Sequence, residues 1–227
     1  MKWETKQGGN VGRNPERDAR EREKRMLRIQ EVAFNVFARD TIERVTMQDV
    51  ADECEIGIAT LYRHYKSKPE LVVAASTWAW EKFIGANNQK MDFSTLTAAE
   101  ELEFYLETFI NLYRNHRDIL RFNQFFNIYV QSEKIDLEIM RPYMGMVKRL
   151  FLQFHGMWEK GERDGTLVRD LAEEEFITAV IRLMLAAVTR YAIGLVYKGQ
   201  ADPEKELVLL KDMLVKRFTV TQPTENK

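Results

Sequence analysis

Residues that break helices or cross-link the chain are scarce in this sequence. Only five prolines and eleven glycines occur among 227 residues, which disfavours a turn-rich β architecture and favours helices. The single cysteine, Cys54, excludes an internal disulfide framework and is typical of a reducing cytoplasm. The three histidines, His64, His116 and His155, lie far apart in the sequence, so we expect neither a metal nor a cofactor.

Charge and hydropathy exclude further classes of protein. The formal net charge is −1, so any DNA binding must come from a local basic face rather than from a global positive field. The N-terminus lacks the apolar run of a secretory signal, and no charge-free stretch approaches the roughly 18 apolar residues that span a bilayer. No nucleophile elbow, phosphate-binding glycine loop or zinc-binding cysteine pair occurs. We therefore expect a cytoplasmic protein that has no enzymatic activity and no membrane partner.

Apolar spacing and helix-start signals predict an all-α chain of about nine helices. Met26, Ile29, Ala33 and Phe37 follow the i, i+3, i+4 spacing of one helical face. Other helix starts carry a hydroxyl residue with an acid three positions later, namely Thr46–Asp49, Ser67–Glu70 and Thr97–Glu100. No strand-like alternation of apolar and polar residues competes with this pattern.

The stretch 13–28 is strongly charged, with seven basic and four acidic residues. We interpret it as a solvated helix start that is stabilised by i, i+4 ion pairs such as Glu21–Arg25. This charged stretch indicates a function only in combination with the motif that follows it.

Residues 46–65 have the proportions of a helix-turn-helix, in which two short helices are joined by a tight turn. The second helix, 57–66, contains no acidic residue, so no carboxylate would repel DNA phosphates. Small Ala59 would let this helix lie close to the major groove. Its exposed side chains offer hydrogen-bond donors, rings and a guanidinium for phosphate contact and base reading, namely Thr60, Tyr62, Arg63 and His64.

The strings Thr46-x-x-Asp49-Val50-Ala51 and Ile58 to Leu71 resemble the DNA-binding signature of TetR-family (TetR/AcrR-type) transcriptional regulators, and the resemblance covers about residues 25–71. It implies that Thr46 caps the first helix and touches phosphate, while Tyr65 and Lys68 grip the DNA backbone. The residues themselves leave Tyr65 evenly balanced between phosphate contact and core packing. The other positions that the resemblance places at the DNA are Ile58, Ala59, Thr60, Tyr62, Arg63 and His64.

Two positions depart from the family pattern. Glu55 stands where the family usually has glycine in the turn, so it must tolerate an unusual backbone angle or reshape the turn. Gly57 stands where a small hydroxyl residue often caps the recognition helix, and it is a weaker cap.

The resemblance implies a division into a disordered tail (1–15), a helix-turn-helix DNA-binding domain (16–66) and a ligand-binding and dimerisation domain (67–227). The expected function is that of a homodimeric repressor, which a small apolar or aromatic molecule releases from a palindromic, double-stranded operator. The alternative is a helical adaptor that binds DNA or protein without a small-molecule effector.

Helices near 117–132 and 137–163 are rich in methionine and aromatic residues. Packing in the hydrophobic core accounts for most of these residues. However, so many flexible methionine and flat aromatic side chains would also suit an adaptable apolar cavity. Arg121, Arg182 and Arg190 are the candidate partners of a charged ligand. The predicted pocket residues are Phe122, Phe125, Phe126, Tyr129, Met144, Val147, Phe151 and Met184.

The predicted helix 172–198 is apolar almost all round, so it must be covered on every side. Together with the last helix it would form a four-helix seam between two subunits; the alternative is complete burial inside one subunit. The predicted seam residues are Leu183, Ala187, Tyr191, Leu207, Leu210 and Leu214.

Overall fold

The computed structural model describes residues 15–89, 91–194 and 202–220. Within those ranges the chain is all-α, which confirms the predicted fold class and helix number. The predicted tail, except Pro15, and the predicted helix beyond Gly194 lie outside the described residues. The helices are α1 (Pro15–Asp40), α2 (Met47–Glu53), α3 (Ile58–His64), α4 (Lys68–Asn88), α5 (Ala98–Asn115), α6 (Arg117–Glu133), α7 (Leu137–Asp164), α8 (Glu173–Ile193) and α9 (Pro203–Phe218).

Two of the predicted helix starts are complete capping boxes. The hydroxyl of Thr46 accepts a hydrogen bond from the Asp49 amide at 3.2 Å, and the Asp49 carboxylate accepts one from the Thr46 amide at 2.7 Å. Thr97 and Glu100 form the same pair of bonds at the start of α5. At the start of α4 the Glu70 carboxylate instead accepts from the amide of Lys66 at 2.7 Å. Each such cap stabilises its helix by about 1 kcal/mol.

One continuous apolar core joins the first three helices, which we call the head (α1–α3), to the rest of the chain, the larger domain (α4–α9). Phe34 of α1 contacts Phe122 of α6 and Trp78 of α4, with ring centroids 5.2 and 5.9 Å apart. The division at residues 66 and 67 therefore stays a prediction, because the two parts share their core.

The end of the larger domain where α5 begins and α7 ends is stabilised by contacts between residues distant in sequence. Lys160 of α7 donates to the carbonyl of Phe93 at 2.7 Å and pairs with the buried carboxylate of Glu101 on α5. Gly161 leaves no room for a side chain, since an added Cβ would lie 2.6 Å from Leu167. After α9 the chain returns to this end, where the Val168 amide donates to the Phe218 carbonyl at 2.8 Å.

Helix α8 is, within the described ranges, the one helix long and apolar enough to cross a membrane by length and composition. It packs against α5, α6, α7 and α9, and Phe176, Val180 and Met184 are buried there. Its opposite side exposes Leu183 and Arg182. One side of α8 is therefore covered within the protomer and the other is not.

Candidate nucleic-acid interface

The turn between α2 and α3 accommodates the unusual glutamate. Glu55 has φ +56°, in the left-handed region that favours glycine, and the next amide, of Ile56, donates to the Ala51 carbonyl at 3.0 Å. Holding a non-glycine residue there costs about 1–2 kcal/mol. Gly57 has an ordinary extended conformation and makes no side-chain cap. The turn thus holds Glu55 in a backbone conformation that glycine adopts more easily.

Helix α3 has one exposed and one buried side. Leu61 is fully buried and Ile58 packs partly against the core, whereas Ala59, Tyr62 and Arg63 are exposed. The exposed positions follow i, i+3, i+4, so they share one face that is free to enter a groove. Of the predicted DNA residues, these three lie together on the surface, with Thr46 also exposed and Thr60 half-buried.

Tyr65 lies in the core instead of gripping a phosphate. Its side chain is almost fully buried, and its hydroxyl accepts a hydrogen bond from the Gln30 amide group of α1 at 3.0 Å. Burial also raises the pKa of Tyr65. Of the two alternatives that the residues left open, the structure shows core packing, because the chain after α3 turns this ring back towards α1.

Lys68, the other predicted backbone contact, is tied to the protein. Its ammonium group donates to the carbonyl of Glu43 at 3.4 Å and lies 5.7 Å from the ring centre of Tyr129. Partial burial lowers the pKa of Lys68. Contact with a phosphate would require this side chain to leave the loop that precedes α2.

His64 is half-buried, and both its ring nitrogens lack a hydrogen-bond partner among the described residues. Burial, followed by the charges of Arg63, Arg22 and Arg25, holds the pKa of His64 below its usual value. The imidazole is therefore neutral at neutral pH. It lies at the border of two clefts rather than on the open face of α3.

The basic face extends from α3 onto α1. A cleft of about 600 Å³ between these helices is lined by Arg22, Arg25 and Arg63, with Asp18 and Glu21 also present. None of the three arginines forms an ion pair with a residue of the described ranges. The predicted Glu21–Arg25 pair is not formed, since Glu21 pairs with Arg17 at 3.1 Å. Two functional candidates, Arg22 and Arg25, were thus missed, although the excess of basic residues in 13–28 was their signal.

The predicted pocket residues do not surround one cavity. Phe122, Phe126, Tyr129 and Met184 are buried core, and Phe122 stacks on Phe126 with ring centroids 6.1 Å apart. Phe125 and Val147 are half-buried, and half-buried Phe151 lines a shallow cleft of about 350 Å³ between α7 and α8. Met144 is 52% exposed, because α7 turns this position away from the bundle.

The candidate partners of a charged ligand lie outside the core. Arg121, Arg182 and Arg190 are all exposed. The Arg121 guanidinium donates to the carbonyl of Ala192 at 3.2 Å, and that of Arg190 donates to the carbonyl of Gly194 at 2.9 Å. Arg121 and Arg190 therefore bind carbonyls at the end of α8, and none of the three arginines is buried in the core.

The predicted seam residues fall on both sides of α8 and α9. Leu183 is 50% exposed, but Leu207 and Leu214 are buried inside the protomer, while Ala187, Tyr191 and Leu210 are half-buried. Seven residues separate Leu207 from Leu214, so both face their own subunit. The apolar residues of α9 that do face outward are Leu209 and Met213, each 59% exposed.

Comparison with known proteins identifies this architecture. Residues 29–75 match the family model described as bacterial regulatory proteins, tetR family. An HTH-type transcriptional regulator from Staphylococcus aureus strain USA300 is 40% identical over 55 residues, which are 24% of this chain and 28% of that protein. The match thus spans little more than a quarter of the length of the curated relatives.

Solved structures match along most of the chain. A transcriptional regulator from Saccharomonospora viridis in complex with choline has a TM-score of 0.69 at 20% identity, over 88% of this chain and 100% of that one. The regulator FadR from Bacillus subtilis, in complex with stearoyl-CoA, has a TM-score of 0.66 at 16% identity, over 84% and 98%. Residues 29–75 thus resemble the helix-turn-helix domain of the tetR family. The described chain shares the fold of these solved regulators.

Proposed function

We propose that this chain is a homodimeric transcriptional repressor that acts in the cytoplasm, binds a palindromic operator and is released by a small molecule. The observation that carries the proposal is the basic face formed by Arg63 of α3 with Arg22 and Arg25 of α1. These three guanidinium groups form no ion pair with any residue of the described ranges, so they are suited to DNA phosphates and base edges. On the same face, Tyr62 adds an aromatic ring, and the small side chain of Ala59 lets α3 lie close to the major groove.

The face divides naturally into two kinds of contact. Arg63 stands on the exposed side of α3, where a guanidinium can bind the edge of a guanine in the major groove. Arg22 and Arg25 stand on α1, outside the helix that would enter the groove, so they suit the sugar-phosphate backbone. Backbone contacts orient the head, and the base contact supplies sequence preference.

Dimerisation is supported by apolar side chains that the protomer leaves exposed on α8 and α9. Leu183, Leu209 and Met213 are each at least half exposed, and an apolar patch on two neighbouring helices is a surface that a second subunit can cover. One α3 helix reads only a few base pairs, so useful specificity requires two heads. A two-fold axis would place the half-sites about 34 Å apart, or a multiple of that distance.

Release by a small molecule is supported by the solved structures of similar fold that hold choline or stearoyl-CoA. In this chain α4 begins beside the head and packs along α7 of the larger domain. A ligand that moves α4 would change the spacing of the two heads. A coupling of about 1–3 kcal/mol is enough to weaken operator binding 5- to 150-fold.

The test is DNA binding by the full-length protein, measured by fluorescence anisotropy on fragments from around its own gene at several salt concentrations. Arg63→Ala should cost about 1–3 kcal/mol on the preferred fragment and less on others, because a base contact is lost. Lys148→Ala, which removes an exposed cation from α7, is the control and should leave affinity unchanged. Failure of the wild type to bind any fragment would favour the adaptor alternative.

A further inference from the structure

A wide cleft lies between the head and the larger domain. It has a volume of about 930 Å³ and is walled by α1, α4 and α7, with His64 at the end of α3 on its border. Pockets for small molecules have volumes of about 300–1,000 Å³ and mostly apolar walls. The apolar walls here are supplied by Met26, Leu27, Val73, Ala74, Trp78 and Ile139.

The charged groups that line this cleft already have partners. Glu81 pairs with Arg149, Glu138 pairs with Arg141, and the Glu70 carboxylate accepts from the Lys66 amide. Lys82 pairs with Glu31 of α1 at 2.8 Å. A charged molecule entering the cleft would therefore have to compete with these partners of the described residues, and burying an unpaired charge is costly.

Two neutral polar groups of the lining already have partners. The Thr77 hydroxyl donates to the Val73 carbonyl at 2.8 Å, and Tyr65 is bonded to Gln30. Among the residues that line the cleft, only His64 has polar atoms that are shielded from solvent and unbonded within the described residues. A shielded polar atom without a partner is rare in native structures and requires an explanation.

We propose that this cleft binds an uncharged, flat aromatic molecule whose single hydrogen-bonding group meets the His64 ring. Trp78 and Ile139 would hold the flat part, and Leu27, which is 47% exposed on the rim, would be covered. The site is separate from the pocket predicted between α6, α7 and α8.

The occupant would set the angle between head and larger domain. Leu27 and His64 belong to the head, whereas Ile139 belongs to α7, so a molecule touching all three spans both parts. The bound molecule fits best at one distance between α1 and α7, so it shifts the population of protein conformations towards that distance. This regulatory step rests on the proposed function, because its readout is DNA affinity; the binding step does not.

The binding step is tested with N-phenyl-1-naphthylamine, a neutral, flat dye with one N–H donor that fluoresces in apolar surroundings. The full-length protein should bind it saturably. Ala74→Trp, which fills the cleft, should weaken binding at least about tenfold, because the volume is lost. His64→Phe keeps the ring and removes its hydrogen bond, and should weaken binding about 3- to 10-fold.

Two further variants keep the test decisive. Leu27→Gln changes an exposed side chain, preserves helix propensity and should also weaken dye binding, so the result stands even if the tryptophan variant misfolds. Ala86→Trp is the matched control, because Ala86 lies on α4 in a separate cleft of about 260 Å³, and it should bind the dye like the wild type. Three results would each overturn the site. The wild type does not bind the dye saturably, the Ala74 and Leu27 variants bind the dye as tightly as the wild type, or only the Ala86 variant loses dye binding.

The regulatory step is read from DNA affinity with and without dye. The dye should change the affinity of the wild type at least about fivefold, the lower end of typical allosteric coupling, and should not change that of Leu27→Gln. Unchanged wild-type affinity at saturating dye would overturn the regulatory step. Failure of the wild type to bind DNA would overturn the proposed function and this step together, while the dye titration would still decide the site.

Discussion

The head and the larger domain are held by different kinds of contact. Within the helix-turn-helix of the head, α2 and α3, bonds join near neighbours in sequence: Thr46 to Asp49 across three residues, and the Ile56 amide to the Ala51 carbonyl across the turn. In the larger domain, the fastening contact joins Lys160 to Glu101, 59 residues away. Local bonds leave a readable pattern in a sequence, whereas distant contacts do not.

This difference explains where the chain is recognisable. The family model matches residues 29–75, and the two solved regulators compared above share the fold of most of the chain at only 20% and 16% identity. Caps and tight turns accept few residue types, but many combinations of apolar residues fill a helical core to the same shape. The head thus preserves its motif while the larger domain changes its residues and keeps its fold.

The largest effect is expected from breaking the distant contact. Lys160→Met would leave the buried carboxylate of Glu101 without its cation, and should lower the free energy of unfolding by about 3–5 kcal/mol. Chemical denaturation of the purified protein measures it. The control is Lys205→Met, which removes an almost fully exposed cation from α9 and should change stability by no more than about 0.5 kcal/mol. Equal stability of both variants would show that the larger domain does not depend on this pair.

The next effect concerns assembly. Leu183→Glu would place an unpaired carboxylate in the proposed seam of each subunit, which should weaken dimerisation by about 3 kcal/mol or more, roughly a hundredfold. Because Leu183 is half exposed in the protomer, the monomer itself should stay folded. Sedimentation velocity measures the dissociation constant. The control Leu137→Glu changes an exposed leucine at the start of α7, and this variant should remain dimeric. Equal dissociation constants of the two variants would show that α8 does not form the dimer interface.

How much could be predicted from the sequence follows the same division. Helix starts at Thr46 and Thr97 and the exposure of Tyr62 and Arg63 on α3 were predicted, because each depends on a few neighbouring residues, whereas Thr60 and His64 were expected to be exposed and are half-buried. The inward side of α9 was not, since only packing against α5 and α8 decides that Leu207 rather than Leu209 is buried. The outward turn of Met144 and the bond between Gln30 and Tyr65 likewise depend on helices distant in sequence.

A smaller effect should separate backbone contacts from base reading in the head. Replacing Arg22 and Arg25 together by alanine should weaken binding to all DNA sequences alike and reduce the slope of log affinity against log salt by about two units. Arg63→Ala should instead reduce preference for one sequence. Anisotropy titrations at several salt concentrations on two fragments measure both quantities. If the salt slope of the double variant equalled that of the wild type, Arg22 and Arg25 would not contact DNA, and the DNA-binding surface would be limited to α3.

The smallest effect tests the most local feature, the turn at Glu55. Glycine adopts its φ of +56° without the cost of a side chain, so Glu55→Gly should raise the free energy of unfolding by about 1 kcal/mol. Gly57→Ser is the matched control in the same turn. Gly57 has an extended conformation with open space around it, and a serine there gains only a few tenths of a kcal/mol as a better cap. Thermal melts rank the two variants. If Glu55→Gly lowered stability, the glutamate side chain would have to make a stabilising contact that outweighs its backbone strain, and the turn would not be the purely local element that its hydrogen bonds indicate.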